Sequence, residues 1–343
     1  MRLLEGLTLK GLTLKNRVVL PPMDTYSAGE DGRATPFHLV HYGSRALGGA
    51  GLIILEATAV TPKGRITDRC LGLWEEGQIP GLREIADFLS SQGTVPGIQL
   101  NHAGRKSQAK GAPILAPSPL AFSDEYRHPG EMTLEEIQEA VMQFGEAARR
   151  AREAGFRFLE IHGAHGYLIS TFLSPLTNKR EDAYGGSREN RSRFLREVLL
   201  EVRKHWPEEY PLGLRVSASD YLEGGMTPAE MTEILLDLRE LLDVVHVSSG
   251  GVALAPIRPF PGYQVEFARL IREGTGLPVI AVGLITTWQM AEEILMNGRA
   301  DLVALGRELF RNPNFTLQVQ MEKDLPYTGP EAWGEAFIHR NKR

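Results

Sequence analysis

A chain of 343 residues with 42% hydrophobic and 24% charged side chains can bury one large core or two ordinary ones, and is neither fibrous nor disordered in composition. Its net charge of −5, with a pI near 6.0, offers no cationic face for nucleic acid or an anionic membrane. The single cysteine, Cys70, excludes an internal disulfide, and no run of about 18 apolar residues occurs. A soluble protein of a reducing cytoplasm is expected.

Strand-like and helix-like segments alternate along the chain. Residues 17–20 form the first predicted strand, stopped by Pro21 and Pro22. A helix over 35–47 follows, with Thr35 as N-cap and Pro36 in its first turn. Strands over 51–56 and 95–100 flank a helix over 79–92. Thr133 and Glu136 make a capping box for a long amphipathic helix that stops near Gly155. A fourth strand, Phe158 to Ile161, is bounded by Gly155 and by Gly163 and Gly166. The second half repeats the rhythm, with strands over 212–217, 243–247, 278–281 and 301–305. Helices are expected over 187–205, from 227 to about 242, over 263–273 and over 288–297. Eight apolar strands alternating with helices, with no break in composition, predict a single (β/α)8 TIM barrel spanning 1–343. A doubly wound sheet is the alternative, but Pro21-Pro22 stands where a dinucleotide-binding fold would need glycines. The long segments 101–132 and 168–187 follow strands three and four, and so fall on the face where barrel enzymes place their sites.

The end of strand four gathers His162, His165 and Tyr167, three groups that exchange protons or donate hydrogen bonds. Read from the residues alone, they form a catalytic site, a pair of structural histidines or, least favoured, a metal site. In strand five, Leu212, Leu214 and Val216 share one face while Gly213, Arg215 and Ser217 share the other. Arg215 is thereby expected to face the barrel axis. There a guanidinium needs an acceptor-rich ligand or an internal partner, Glu56 or Glu160. Gln99 and Asn101 share a face of strand three and are followed by His102 to Lys106. Gly283 after strand seven, Gly306 and Arg307 after strand eight, and Ser248 to Gly251 after strand six suggest a rim that admits a phosphorylated ligand.

Four stretches carry a family resemblance: His162-Gly-Ala-His-Gly-Tyr-Leu, Phe172-Leu-Ser-Pro-Leu-Thr-Asn-Lys-Arg180, Tyr184-Gly-Gly-Ser running to Phe194, and His102-Ala-Gly-Arg-Lys106. The chain resembles the Old Yellow Enzyme family, and most of all its short bacterial, thermophilic-like branch of FMN-dependent NAD(P)H dehydrogenases and ene-reductases. The likeness runs from Leu14 to Leu309, nearly the whole chain. It implies a barrel whose FMN is lined by Pro21, Pro22, Met23, Asp24, Ala57, Gln99, Arg215, Ser249, Gly283, Gly306 and Arg307. It further implies that NADPH or NADH reduces the flavin in a ping-pong scheme. His162 and His165 would hold a substrate carbonyl, Tyr26 would contact the substrate, and Tyr167 would protonate the α-carbon after hydride reaches the β-carbon. Enones, maleimides and quinone-like compounds are the implied substrates. A related flavin dehydrogenase or isomerase using Asp24 as base, and a flavin-binding barrel without turnover, are the alternatives.

Two departures stand out. The branch usually has Cys, and other branches Thr, where this chain has Asp24; an ionised carboxylate there would lower the flavin potential, whereas a protonated one would donate a hydrogen bond. The branch often ends in a Tyr-x-Arg segment that reaches a neighbouring subunit, whereas this chain reads Trp333-Gly-Glu-Ala-Phe-Ile-His-Arg340, with Glu335 near the arginine's place. A homodimer or homotetramer with the tail, about 312–343, at a subunit interface remains the expectation, with Arg340 or Arg343 as substitutes.

Overall fold

The computed structural model describes residues 1–111 and 113–338. Eight parallel strands close into a barrel: β1 (Val18–Leu20), β2 (Leu52–Ala59), β3 (Val95–Asn101), β4 (Phe158–Gly163), β5 (Leu212–Ser217), β6 (Val244–Ser248), β7 (Val279–Ala281) and β8 (Leu302–Ala304), with β8 pairing back onto β1. Each strand is followed in the chain by a helix: α1 (Pro36–Leu47), α2 (Ile79–Ser91), α3 (Leu134–Glu153), α4 (Arg188–His205), α5 (Pro228–Leu238), α6 (Val265–Thr275), α7 (Trp288–Met296) and α8 (Phe315–Glu322). The predicted strands and principal helices fall within two or three residues of these bounds, except α5, which gives way to a 3-10 turn at Arg239. Capping accounts for several starts. Thr133 accepts the Glu136 N–H while the Glu136 carboxylate accepts that of Thr133, and Ser187 accepts the Asn190 N–H. The predicted loop after β4 in fact begins with a short helix, Leu168–Leu173, all of it buried.

Alternation along the strands sorts their side chains into two sets. Ile53, Leu55, Ile98, Leu159, Ile161, Leu214, Val245 and Val303 face outward and merge with Leu82, Phe144 and Leu195 of the helices. Val19, Leu52, Ile54, Val95, Phe158, Val244, Ile280 and Leu302 face inward and fill the lower half of the barrel. An antiparallel hairpin, Leu7–Leu9 with Leu12–Leu14, closes that end by packing Leu9, Leu12 and Leu14 onto the inward set. The repeat Leu7-Thr8-Leu9 and Leu12-Thr13-Leu14 about Lys10-Gly11 carries the alternation of this hairpin, which lies ahead of the first predicted strand. Phe158 is its central filler. A Cβ on Gly97 would lie 3.2 Å, and one on Gly213 3.0 Å, from the Phe158 ring, so the two glycines make room for one aromatic side chain.

The upper half is polar. Gln99, Glu160, Arg215, His246 and Ser248 occupy the next inward positions, and all are buried. In β2 a register shift between Leu55 and Ala57 pushes Glu56 out of this series, so that it packs against α1 rather than into the barrel. The fold thus sets a polar mouth upon a close-packed apolar plug. Phe158→Ala should lower stability by about 3–5 kcal/mol. Urea unfolding checks this, and a shift equivalent to under about 1 kcal/mol would show that the plug collapses around the missing ring.

Candidate functional site

A cavity of about 330 Å³ opens at the C-terminal ends of the strands. Pro21 and Met23 after β1, His165 after β4, Arg215 of β5, Ser248 of β6, Gly283 after β7, and Gly306 and Arg307 after β8 line it. The backbone comes close at its glycines. A Cβ on Gly306 would stand 2.6 Å from Met23 Sδ, and Gly283, at φ +132°, is pressed against Gln264. Arg307 brings a positive charge to this end of the cavity, while Arg311 is paired at 2.8 Å with Glu308, which also lines it. A larger groove of about 710 Å³ lies where α3 and α4 run into the next strands, lined by Asp87, Arg152, Lys204 and Trp206. It collects surface charges of both signs and none of the strand-end residues.

Arg215 dominates the cavity's electrostatics. One Nη donates to the Pro22 carbonyl at 3.2 Å, while its Nε is buried without a partner. Neither expected internal partner pairs with it. Glu56 has left the barrel, and Glu160 is committed elsewhere: its Oε1 accepts Gln99 Nε2 at 2.7 Å and its Oε2 meets His246 Nδ1 at 2.8 Å. Among the described residues no carboxylate lies within ion-pair distance of Arg215. Burial pulls its pKa down, opposed chiefly by the charge of Glu160. A desolvated, half-satisfied guanidinium is costly unless an acceptor-rich ligand sits against it.

His162, His165 and Tyr167 come together as the sequence suggested. The His162 ring stands edge-on to both others, with centroids 5.2 Å from His165 and 4.9 Å from Tyr167. His162 Nδ1 accepts the Ala164 N–H at 3.2 Å, so the neutral ring carries its proton on Nε2. His165 has φ +60°, and its Nε2 lies 2.8 Å from Ser248 Oγ, which in turn donates to Gln264. Burial, with the Arg215 charge next, holds both histidines well below their usual pKa, and burial raises Tyr167 well above its own. All three are therefore neutral hydrogen-bond donors near pH 7. The unusual backbone at His165 is clamped by Lys106, whose Nζ donates to the carbonyls of His165 at 2.8 Å and Gly251 at 2.6 Å. Lys106 also sits 3.9 Å above the Phe122 ring, tying the two mouth loops together.

The other anticipated residues fall in a ring around this centre. Pro22 holds Arg215, Gln99 is tied to Glu160, and Ser249 donates to Gln264 at 2.7 Å. Ala57 packs with Ile66, Cys70 and Ala103 beside Tyr167. Tyr26, at φ +51° and 42% exposed, stands on the rim. Asp24 is partly exposed as a residue, yet its Oδ1 is buried and unbonded; no arginine or lysine pairs with it among the described residues. Pro22, Asp24, Ala57, Gln99, Ser249, Tyr26, His162 and Tyr167 do not line the cavity itself. Tyr263, Gln264 and Arg311 do line it and were missed, because each lies in or beside a helix whose pattern gives no functional signal. Among the described residues no three His, Cys, Asp or Glu side chains could hold a metal. Glu335 lies in the short helix Gly334–Ile338, while Arg340 and Arg343 fall outside the described residues.

Comparison with known proteins agrees with this geometry. Residues 2–326 match the model of the NADH:flavin oxidoreductase / NADH oxidase family. An NADPH dehydrogenase of Clostridium acetobutylicum is 52% identical over 338 residues, covering 98% of this chain and 100% of the relative. One of Bacillus subtilis is 50% identical over 329 residues, covering 95% and 96%. Among solved structures, morphinone reductase in complex with tetrahydroNAD superposes with a TM-score of 0.81 at 28% identity, covering 97% of this chain and 94% of that one. A 2-naphthoyl-CoA reductase complex reaches a TM-score of 0.88 at 27% identity; the match covers 95% of this chain but only 52% of that longer one.

If the Arg215 guanidinium is held for a ligand rather than for the fold, Arg215→Met should leave the melting temperature of the ligand-free protein unchanged or higher. Calorimetry reads this, and a fall of more than about 5 °C would mark Arg215 as a structural group.

Proposed function

This chain belongs to the NADH:flavin oxidoreductase / NADH oxidase family, and we propose that it reduces activated C=C bonds of α,β-unsaturated carbonyl compounds with NADPH or NADH. It is an FMN-dependent oxidoreductase, and its residues suit FMN. Arg307, Arg311 and the close backbone at Gly283 and Gly306 would hold the phosphate, while Arg215, with an unbonded Nε, and Gln99 would meet the pyrimidine edge. Bound FMN would supply the hydride chemistry, accepting hydride from the nicotinamide and passing it to the alkene's β-carbon.

The chain's own residues do the rest. His162 donates its Nε2–H to the substrate carbonyl, drawing electron density from the alkene without a formal charge. His165 completes the clamp by turning its Nε2 from Ser248 to the same oxygen. Tyr167, beside His162, delivers its hydroxyl proton to the α-carbon as hydride arrives at the β-carbon, and Tyr26 closes the mouth over the substrate. One domain carries all of this, and the tail packs against a second copy in a homodimer or homotetramer. The observation that carries the reading is the neutral His162–His165–Tyr167 cluster facing the uncompensated Arg215.

Anaerobic titration tests it. NADPH should bleach the yellow holoenzyme, and 2-cyclohexen-1-one should restore the colour; a bleached enzyme that the enone fails to reoxidise would refute alkene reduction. Tyr167→Phe should slow the enone step by about 10²–10⁴-fold, with a much smaller effect on bleaching by NADPH. Because both histidines stay neutral well below the usual value, protonation does not remove their acceptor or donor balance until acid pH. In Asp24→Asn, which removes the carboxyl of the site that titrates at about 7, the enone step should therefore stay flat as pH falls through about 6.5, and stopped-flow rates that drop there would place a titrating histidine in the clamp.

A further inference from the structure

Two carboxyls at the edge of the site, Asp24 after β1 and Glu56 in the β2 bulge, have opposite surroundings. Glu56 is wholly buried and receives only donors. Thr25 N–H reaches its Oε2 at 2.9 Å, Thr25 O–H its Oε1 at 2.7 Å and Tyr42 O–H its Oε1 at 3.0 Å. The Tyr42 oxygen already accepts the Glu56 N–H at 3.0 Å, so its own proton points to the carboxylate. From α1, His38 accepts the Thr35 N–H at Nδ1, which leaves its ring proton on Nε2, 3.6 Å from Glu56 Oε1. Three donors meet both oxygens and so favour the carboxylate, against the burial that pushes its pKa up.

Asp24 has one donor, the Ala57 N–H, and a buried Oδ1 with no partner. The charged and titratable groups that act on it are Glu56 from β2, Arg215 from β5, its neighbour Tyr26, Tyr167 after β4, and Cys70. Of these only Arg215 is a cation. Two carboxyls in one water-poor space do not both ionise near neutral pH, and the one with fewer donors keeps the proton.

We propose that Glu56 is the fixed anion of a carboxyl pair sharing one proton, and that the proton resides on Asp24 Oδ1, so that Asp24 meets the flavin site as a neutral O–H donor. Glu56 is then a positioning residue with two effects. Its bonds to Thr25 hold the rim strap next to the left-handed backbone of Tyr26, and its charge keeps a second negative group from forming beside bound FMN. Burial and Glu56 together push Asp24 up to about 7, the same direction as the hydrogen-bond inventory. The inference rests on the flavin reading of the cavity; failure to bind FMN would sink that reading, whereas a misplaced proton sinks only this one.

Infrared difference spectroscopy of the FMN holoenzyme, titrated from about pH 5.5 to about pH 8.5, reads the proton directly. The wild type should lose one protonated-carboxyl band across this range, and Asp24→Asn should lack the band at every pH. In Glu56→Gln the band's midpoint should move down by about one pH unit or more, because the competing charge is gone. A band that survives in Asp24→Asn shows that the proton does not reside on Asp24 and overturns the proposal, as does a midpoint unmoved in Glu56→Gln. Should Glu56→Gln fail to fold, the Asp24→Asn comparison decides alone.

Discussion

The upper barrel is organised by one uncompensated charge, the guanidinium of Arg215. It is buried, one nitrogen is unbonded, and the nearest buried carboxylate inside the barrel, Glu160, is taken up by Gln99 and His246. A structural ion pair would have drawn Glu160 onto Arg215. The chain instead uses Glu160 to orient its neighbours, so that its negative charge holds Arg215 protonated from a distance while the guanidinium still faces the cavity. Burial, reinforced by the same positive charge, suppresses protonation of His162 and His165 and fixes them as neutral donors. One unpaired cation thus sets the ligand class and adds to the burial that keeps the residues around it neutral.

Below that charge the barrel is closed off. Phe158 fills the space left by Gly97 and Gly213, and the N-terminal hairpin seals the end with leucines. Glycine at 213 serves both halves. It admits the ring below, and, paired in register with Glu160, it leaves the β5 position between Glu160 and His246 without a side chain. The bulge in β2 has a comparable double effect, returning Ala57 to the inward series and sending Glu56 behind the strap that carries Asp24 and Tyr26.

Much of this was legible in the sequence, for identifiable reasons. The barrel could be read because eight apolar segments keep strand length and spacing, and caps such as Thr133 and Ser187 mark helix starts locally. Arg215 could be placed inward because Gly213 and Ser217 share its face. What could not be read depends on contacts distant in the chain. Glu56 is an expected partner for Arg215 because it stands at the end of a predicted strand, and a one-residue bulge has no signature in an apolar run. Tyr263 and Gln264 reach the cavity only through a helix start whose orientation is set by packing. The Lys106 clamp joins residues 59 and 145 positions apart.

The most direct test of the central claim is the affinity of the apoprotein for FMN with and without the Arg215 guanidinium. A hydrogen bond from a charged donor contributes about 1.5–3 kcal/mol. Arg215→Met should therefore bind FMN about 10- to 100-fold more weakly than the wild type when both are measured by fluorescence quenching. Equal affinities would contradict the account, since the buried charge would then be held for something other than the flavin.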